Sequence, residues 1–161
     1  MKPSVYLETT VFSYLVGWLN RNSLLVASNQ ELTREWWLSR RDRYDLFAST
    51  VVIDEASRGD QARSEQRLEF LQQVKVLDVT PEARALGAKL IAETRIPPKA
   101  EIDALHIAIA ATNAMSYLLS WNCAHIANAA TLPRVYNVCR ESGYEPPFVC
   151  TPQELMEPSN G

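Results

Sequence analysis

The chain lacks the features that would place it outside the ordinary soluble proteins. Among its 161 residues are only three cysteines, Cys123, Cys139 and Cys150, with no C-x-x-C spacing, which is typical of reduced thiols rather than a disulfide framework. No apolar run approaches the roughly 18 residues of a membrane span, and the acid at position 8 interrupts any signal-peptide core. We therefore expect a cytoplasmic protein that does not enter a membrane.

The sequence also lacks the phosphate-binding patterns GxxxxGK[ST] and GxGxxG and has no excess of positive charge. A net charge of −3 and an isoelectric point near 5.4 exclude a protein that coats nucleic acid by bulk positive charge. They do not exclude an enzyme that holds RNA locally, since an acidic metal site itself adds negative charge. A hydrophobic share of 47% and a charged share of 22% are those of an average globular domain.

Short apolar segments alternate with helical patterns along the chain. The predicted strands are 4–7, 44–49, 75–79, 117–120 and 148–150; the predicted helices begin at Thr9 or Thr10, at Asn22 or Ser23, at Asp60, Pro81, Ala100 and Thr131. Segment 50–58 fits either state, and Gly59 after it favours a helix. This alternation predicts an α/β fold of three layers, α/β/α, around a mostly parallel sheet of four to five strands. We assign residues 1–150 to this domain and 151–161 to a short C-terminal turn and tail, which begins with a capping box.

Oxygen-bearing side chains follow three of the predicted strands or open the most apolar helix. Glu8 comes directly after the first strand and Asn122 after the fourth. Glu55 lies shortly after the second strand, and Asp103 in the first turn of the apolar helix. Because ligands of parallel α/β sheets bind beyond the carboxyl ends of the strands, we expect these four side chains to converge there.

Three neighbouring carboxylates need a cation or protons to be stable together. Two carboxylates about 4 Å apart at an effective dielectric constant near 20 repel by roughly 4 kcal/mol. Hard oxygen ligands suit Mg²⁺ or Mn²⁺, which keep bound waters and accept phosphate oxygens. The pattern therefore favours metal-dependent hydrolysis of a phosphodiester.

Each acid also has a simpler explanation. Glu8 can be a helix-start acid, and either Asp54 or Glu55 can be an exposed helix charge. Glu101 and Asp103 can both be first-turn acids that favour the helix N-terminus. Asp103 is the hardest to explain in this way, because it lies among apolar residues where an unsatisfied acid is costly.

Other polar and aromatic residues leave alternatives open. His106 lies three residues after Asp103 and thus on the same helix face, so it either touches the site or is a hydrogen-bonded core histidine. His125 is expected to shape the loop over the site. Trp36 and Trp37 are adjacent and are expected to point in different directions, one inward and the other toward a partner helix or subunit.

Four motifs, in order, resemble those of the PIN domain family and are closest to its VapC-like branch, the toxins of toxin–antitoxin pairs. They are Tyr6-Leu-Glu-Thr-Thr-Val11, Val51-Val-Ile-Asp-Glu55, Glu101-Ile-Asp-Ala-Leu-His-Ile-Ala-Ile-Ala110 and Tyr117-Leu-Leu-Ser-Trp-Asn122. In that family a first strand ends in an acid, a second acid follows, a third opens a buried helix, and a later strand ends in an acid or amide. The resemblance spans about residues 4–150.

The resemblance implies a metal-dependent ribonuclease that uses Mg²⁺ or Mn²⁺. It implies that Glu8, Glu55 and Asp103 are catalytic and hold the metal, with Asn122 as the fourth ligand and Thr9 as a supporting hydroxyl. It also implies a homodimer and inhibition by a cognate antitoxin protein. Glu8 stands where the family usually has aspartate and Asn122 is neutral where aspartate is common, while Thr10 replaces the usual asparagine. These departures bear on catalysis more than on the fold.

Basic residues near the acidic edge are candidates for contacts with RNA. Arg58, Arg63 and Lys99 can hold phosphates there, although a solvated face explains each one as well. Two other functions compete with the nuclease. One is a PIN-like module that binds RNA or protein without cutting, and the other is an unrelated phosphotransferase or phosphatase, which the lack of a D-x-D arrangement after the first strand disfavours.

Overall fold

The computed structural model describes residues 1–156, in which five strands alternate with seven α-helices. The strands are β1 (Ser4–Leu7), β2 (Asp45–Ser49), β3 (Lys75–Leu77), β4 (Tyr117–Leu119) and β5 (Phe148–Cys150). The helices are α1 (Thr9–Leu15), α2 (Leu24–Ser39), α3 (Thr50–Ala56), α4 (Gln61–Leu71), α5 (Pro81–Glu93), α6 (Glu101–Thr112) and α7 (Leu132–Glu141). The predicted strands and helices are thus present, and the ambiguous segment 50–58 is helical over most of its length.

The five strands form one parallel sheet in the order β3-β2-β1-β4-β5, which confirms the predicted α/β fold. The chain runs from β1 outward to β3, then returns to the other side of β1 for β4 and β5. Right-handed crossovers therefore place α1–α4 on one face and α5–α7 on the other. The packing agrees, since α1 contacts α2, α3 and α4, whereas α5 contacts α6 and α7.

Two elements, β1 and α6, lie at the centre of the buried interior. In β1, Val5, Tyr6 and Leu7 are fully buried, because this strand has a neighbour on each side and helices on each face. In α6, Ala104 and residues 106–111 are buried, as expected for a helix that is apolar nearly all round. Within residues 1–156, no helix is both long and apolar enough to cross a membrane.

The two adjacent tryptophans of α2 pack against different sets of residues, as expected, and Trp37 meets partner helices of the same chain. Trp36 and Trp37 are both buried, with 0% and 3% of their surfaces exposed. Trp36 stacks on Tyr44, with 5.8 Å between ring centroids, and Trp37 meets the edges of Phe12 and Phe70. Two sides of α2 are therefore covered by aromatic rings of other elements. The spacing of Leu25, Leu32 and Trp36 predicts one shared buried face for α2, but Leu25 is exposed.

The caps at the two ends of the domain differ in how well they were predicted. Glu8, rather than Thr9 or Thr10, is the N-cap of α1, and its carboxylate accepts from the backbone N–H of Thr10. At the other end Thr151 and Glu154 form the expected reciprocal capping box, with bonds of 3.0 and 3.3 Å. Of the predicted tail 151–161, residues 157–161 lie outside the described part of the chain.

Candidate metal centre

The site lies where the strand order reverses, between β1 and β4. In parallel α/β sheets this point leaves a crevice beyond the carboxyl ends of the two strands. Glu8 follows β1 immediately, and its backbone N–H donates to the carbonyl oxygen of Leu119 at the end of β4, 3.0 Å away. Ser120, Trp121 and Asn122 continue the chain from β4 into the same crevice.

Glu8 is buried, with 3% of its surface exposed, and its carboxylate is held by Thr10 at the start of α1 and by Ser120 just after β4. Oε1 accepts from the Ser120 hydroxyl at 2.6 Å and from the Thr10 hydroxyl at 2.5 Å. Oε2 accepts only a longer bond, 3.2 Å, from the backbone N–H of Thr10 among the described residues. The Thr10 hydroxyl in turn accepts from the backbone N–H of Trp121. Thr10 thus holds Glu8 in place. Both residues depart from the first-strand motif that this segment resembles.

Glu55 reaches the same place from α3. Its Oε1 accepts from the Thr9 hydroxyl at 2.7 Å and lies 2.6 Å from Nε2 of His106. Burial raises the pKa of this carboxyl, but hydrogen bonds from His106 and Thr9 and the electrostatic influence of the imidazole and of Arg58 lower it, and the lowering prevails. Glu55 is therefore ionised at neutral pH and accepts hydrogen bonds rather than donating them.

Glu8, Glu55 and His106 form a group compact enough for one metal ion. One ligand atom from each lies within 4.8 Å of the others. Oxygen ligands on one divalent ion, at about 2.0–2.6 Å from it, lie at most about 4–5 Å apart, so the spacing fits. Two buried or half-buried carboxylates are also the hard donors that Mg²⁺ and Mn²⁺ prefer. Both the spacing and the donor chemistry therefore fit a divalent cation.

Asp103 and Asn122 lie in an adjoining group that centres on His125. Oδ2 of Asp103 is 3.1 Å from Nδ1 of His125, and Oδ1 of Asn122 accepts from the backbone N–H of the same histidine at 3.0 Å. Asp103 lies one turn before His106 on α6, so the two groups are neighbours. The structure thus brings Glu8 and Glu55 together, while Asp103 is not a member of the compact group. Asn122 is linked to Glu8 through Ser120, whose hydroxyl accepts from the Asn122 backbone N–H and donates to Glu8.

Tyr6 is a site residue that the sequence did not identify, whereas His106 was named as a candidate with two possible roles. His106 is fully buried, and it both touches the site and is a hydrogen-bonded core histidine, the two readings that its sequence position left open. Its Nδ1 lies 2.7 Å from the Tyr6 hydroxyl, which is 2.8 Å from Oγ of Ser49. The spacing of His106 from Asp103 was a usable signal. Tyr6 gave none, because its position in a buried strand explains an aromatic residue without any role.

The basic candidates differ in their freedom to bind a phosphate. Arg58 forms an ion pair with Asp54, at 2.5 Å on the exposed side of α3. Arg63 lies against Gly17, whose backbone has a positive φ of 78°. Lys99 is exposed in the short turn Pro98–Ala100 that precedes α6, and so lies close in sequence to Asp103.

Comparisons with known proteins agree with this architecture. The model of the PIN domain family matches residues 5–122. The structure of VapC20 from Mycobacterium tuberculosis, a sarcin–ricin loop cleaving toxin, is similar at a TM-score of 0.58 and 13% identity, over 75% of this chain and 92% of that one. VapBC2 from Rickettsia felis, bound to a DNA fragment from their promoter, is similar at a TM-score of 0.51 and 14% identity, over 91% of this chain and 97% of that one. No curated protein matches the sequence.

Proposed function

The chain belongs to the PIN domain family, and from this premise we propose that it is a metal-dependent endoribonuclease of the VapC toxin type. The observation that carries the proposal is the meeting of Glu8 and Glu55, with His106, at the crevice where the strand order reverses. A module that only held RNA would have no use for two carboxylates gathered in its interior. Their repulsion lowers stability unless a cation binds between them.

Each residue of the site has a proposed part in hydrolysis of an RNA phosphodiester. Mg²⁺ or Mn²⁺ bound here would lower the pKa of an attacking water and stabilise the charge that develops on the phosphate. Glu8 and Glu55 are the proposed ligands of this ion, and Thr9 fixes the orientation of Glu55. Asp103 and Asn122, in the adjoining group, are proposed as the third acid and the neutral fourth ligand.

The proposed partners are an RNA substrate and an antitoxin protein. Lys99 is the better of the two proposed contacts with RNA phosphates, since Arg58 is already paired with Asp54. The similarity to VapC20 and VapBC2 supports a cognate antitoxin as the protein partner. A homodimer and a cytoplasmic location stay predictions.

Metal-stimulated cleavage of RNA is the direct test. The purified protein is incubated with structured and unstructured RNA in EDTA, Mg²⁺ or Mn²⁺, and the products are resolved on denaturing gels. We expect cleavage with Mg²⁺ or Mn²⁺ and none in EDTA. RNA affinity without metal-stimulated cleavage would instead support the PIN-like binding module.

Replacing Asp103 by alanine is expected to lower metal-dependent cleavage by about 10- to 100-fold, the loss typical when the environment of a metal ligand is disrupted. The physical reason is that Asp103 adds negative charge one helical turn from His106 and orients His125. The measurement is the initial rate of RNA cleavage at saturating Mn²⁺.

The matched control for this variant is Glu101→Ala. Glu101 is exposed in the same first turn of α6, so its loss removes an equal charge from the helix N-terminus without touching the site. An equal loss of rate in both variants would show that Asp103 acts only through the helix dipole.

A further inference from the structure

We propose that His106 and Tyr6 are positioning residues for metal binding. On this proposal a hydrogen-bonded chain from Ser49 through Tyr6 and His106 fixes Glu55 so that Oε2, not Oε1, meets the ion. The inference rests on the proposed function for the identity of the ion as Mg²⁺ or Mn²⁺. The hydrogen-bonded chain from Ser49 to Glu55 is a set of contacts that does not depend on which ion binds.

The first step is the direction of the bond between His106 and Glu55. An ionised carboxylate can only accept, so Nε2 of His106, 2.6 Å from Oε1, must carry the hydrogen. The imidazole is fully buried and has polar neighbours at both nitrogens. Its role toward Glu55 is therefore that of a fixed donor.

The second step is the direction of the remaining bonds. Ser49 Oγ accepts from the backbone N–H of Val52 at 3.3 Å, and its own hydrogen can be donated to the Tyr6 oxygen, 2.8 Å away. The Tyr6 hydrogen then goes to Nδ1 of His106 at 2.7 Å. With the neutral Nε2–H tautomer, every hydroxyl hydrogen in this chain has an acceptor. With hydrogens on both ring nitrogens, the Ser49 hydrogen would have no acceptor among the described residues.

The third step is the division of the two carboxylate oxygens. Oε1 of Glu55 receives both His106 Nε2–H and the Thr9 hydroxyl, and a carboxylate oxygen offers about two acceptor sites. Oε2 has no donor among the described residues, so it is the oxygen left for a cation. Glu8 is similar but not identical, since two hydroxyls occupy its Oε1 while its Oε2 accepts one longer bond from the backbone N–H of Thr10. Both carboxylates are thus prepared to bind through a single oxygen.

The tautomer of His106 gives a test that needs no enzymatic activity. The chain has only two histidines, so ¹⁵N NMR of the imidazole nitrogens can be assigned with a His125→Asn variant. We expect the Nε2–H tautomer at His106, both in EDTA and with Mg²⁺. A hydrogen on Nδ1 and a bare Nε2 after Mg²⁺ addition would make His106 a metal ligand and overturn the positioning role.

Affinity for Mn²⁺, measured from the EPR signal of free Mn²⁺, gives the second test. Loss of a residue that supports a metal ligand typically weakens metal binding by 10- to 100-fold, and we expect this for His106→Leu. His106→Gln, which keeps an N–H donor, should restore part of the affinity. Tyr6→Phe removes one hydroxyl and should weaken binding in the same direction by less.

The control for the tyrosine variant is Tyr136→Phe. The Tyr136 hydroxyl accepts from the backbone N–H of Val149 at 3.0 Å, between α7 and β5, so a comparable bond is lost elsewhere. We expect unchanged Mn²⁺ affinity for this variant. If wild type binds Mn²⁺ and His106→Leu and Tyr6→Phe bind it equally well, the positioning role is wrong while the nuclease stands. If wild type binds no Mn²⁺ or Mg²⁺, the proposed function itself fails.

Discussion

Glu55→Gln is expected to abolish metal-dependent RNA cleavage, a loss of about 10³-fold or more. The substitution keeps the size of the side chain and an oxygen acceptor for Thr9, but it removes the negative charge that faces the ion. A metal contributes several kcal/mol of charge stabilisation to such a reaction, and each 1.36 kcal/mol is about tenfold in rate. The measurement is the cleavage rate over a range of Mn²⁺ concentrations, so that weak binding and slow chemistry are separated.

The neighbouring acid supplies the control for this variant. Asp54 precedes Glu55 in the sequence but points to solvent, where it pairs with Arg58. Asp54→Asn therefore removes the same charge from the same helix outside the site, and we expect nearly wild-type cleavage. Retained cleavage by Glu55→Gln, with the protein folded, would remove Glu55 from the metal centre.

Glu8→Gln is expected to change stability in opposite directions with and without metal. In EDTA the variant should be at least as stable as wild type, because it relieves the repulsion between Glu8 and Glu55. Its amide oxygen can still accept from the Ser120 and Thr10 hydroxyls, and only the longer cap bond from the Thr10 backbone N–H is lost. With Mn²⁺ at about 100 times its dissociation constant, wild type should gain about 2.7 kcal/mol, which is roughly 5–10 °C in Tm for a chain of this size. The variant should gain little.

Thermal unfolding in EDTA and in Mn²⁺ measures this effect directly. Glu35→Gln, on the exposed side of α2, is the control for loss of one charge and should follow wild type in both conditions. A Glu8→Gln protein that is less stable in EDTA and still gains as much from Mn²⁺ as wild type would show that Glu8 is only a helix cap.

The sequence predicted the fold well because its signals were local. Pro81 after Thr80 and the glycine after α3 mark helix ends through backbone chemistry that needs no partner. Apolar runs bounded by such signals give the strands, and their alternation with helices gives the parallel sheet. Leu25 was misplaced for the same reason, since periodicity gives the face of a helix but not the elements that cover it.

The site was predictable only in part, because its decisive contacts join distant parts of the chain. Because Glu8 and Glu55 follow strands whose carboxyl ends lie at the same edge of the sheet, the sequence predicted that they lie near each other. The hydrogen bond between Tyr6 and His106 joins residues 100 positions apart, and no local sequence pattern predicts it. The pairing of Asp103 with His125 likewise depends on how the loop after β4 folds back over α6.

The N-cap position of Glu8 has a mechanical consequence. Glu8, Thr9 and Thr10 are consecutive residues at the start of α1, and between them they hold both carboxylates. The positions of both carboxylates therefore depend on the first turn of this short helix. A protein that bound and displaced this turn would therefore disrupt the metal site without contacting the metal ion.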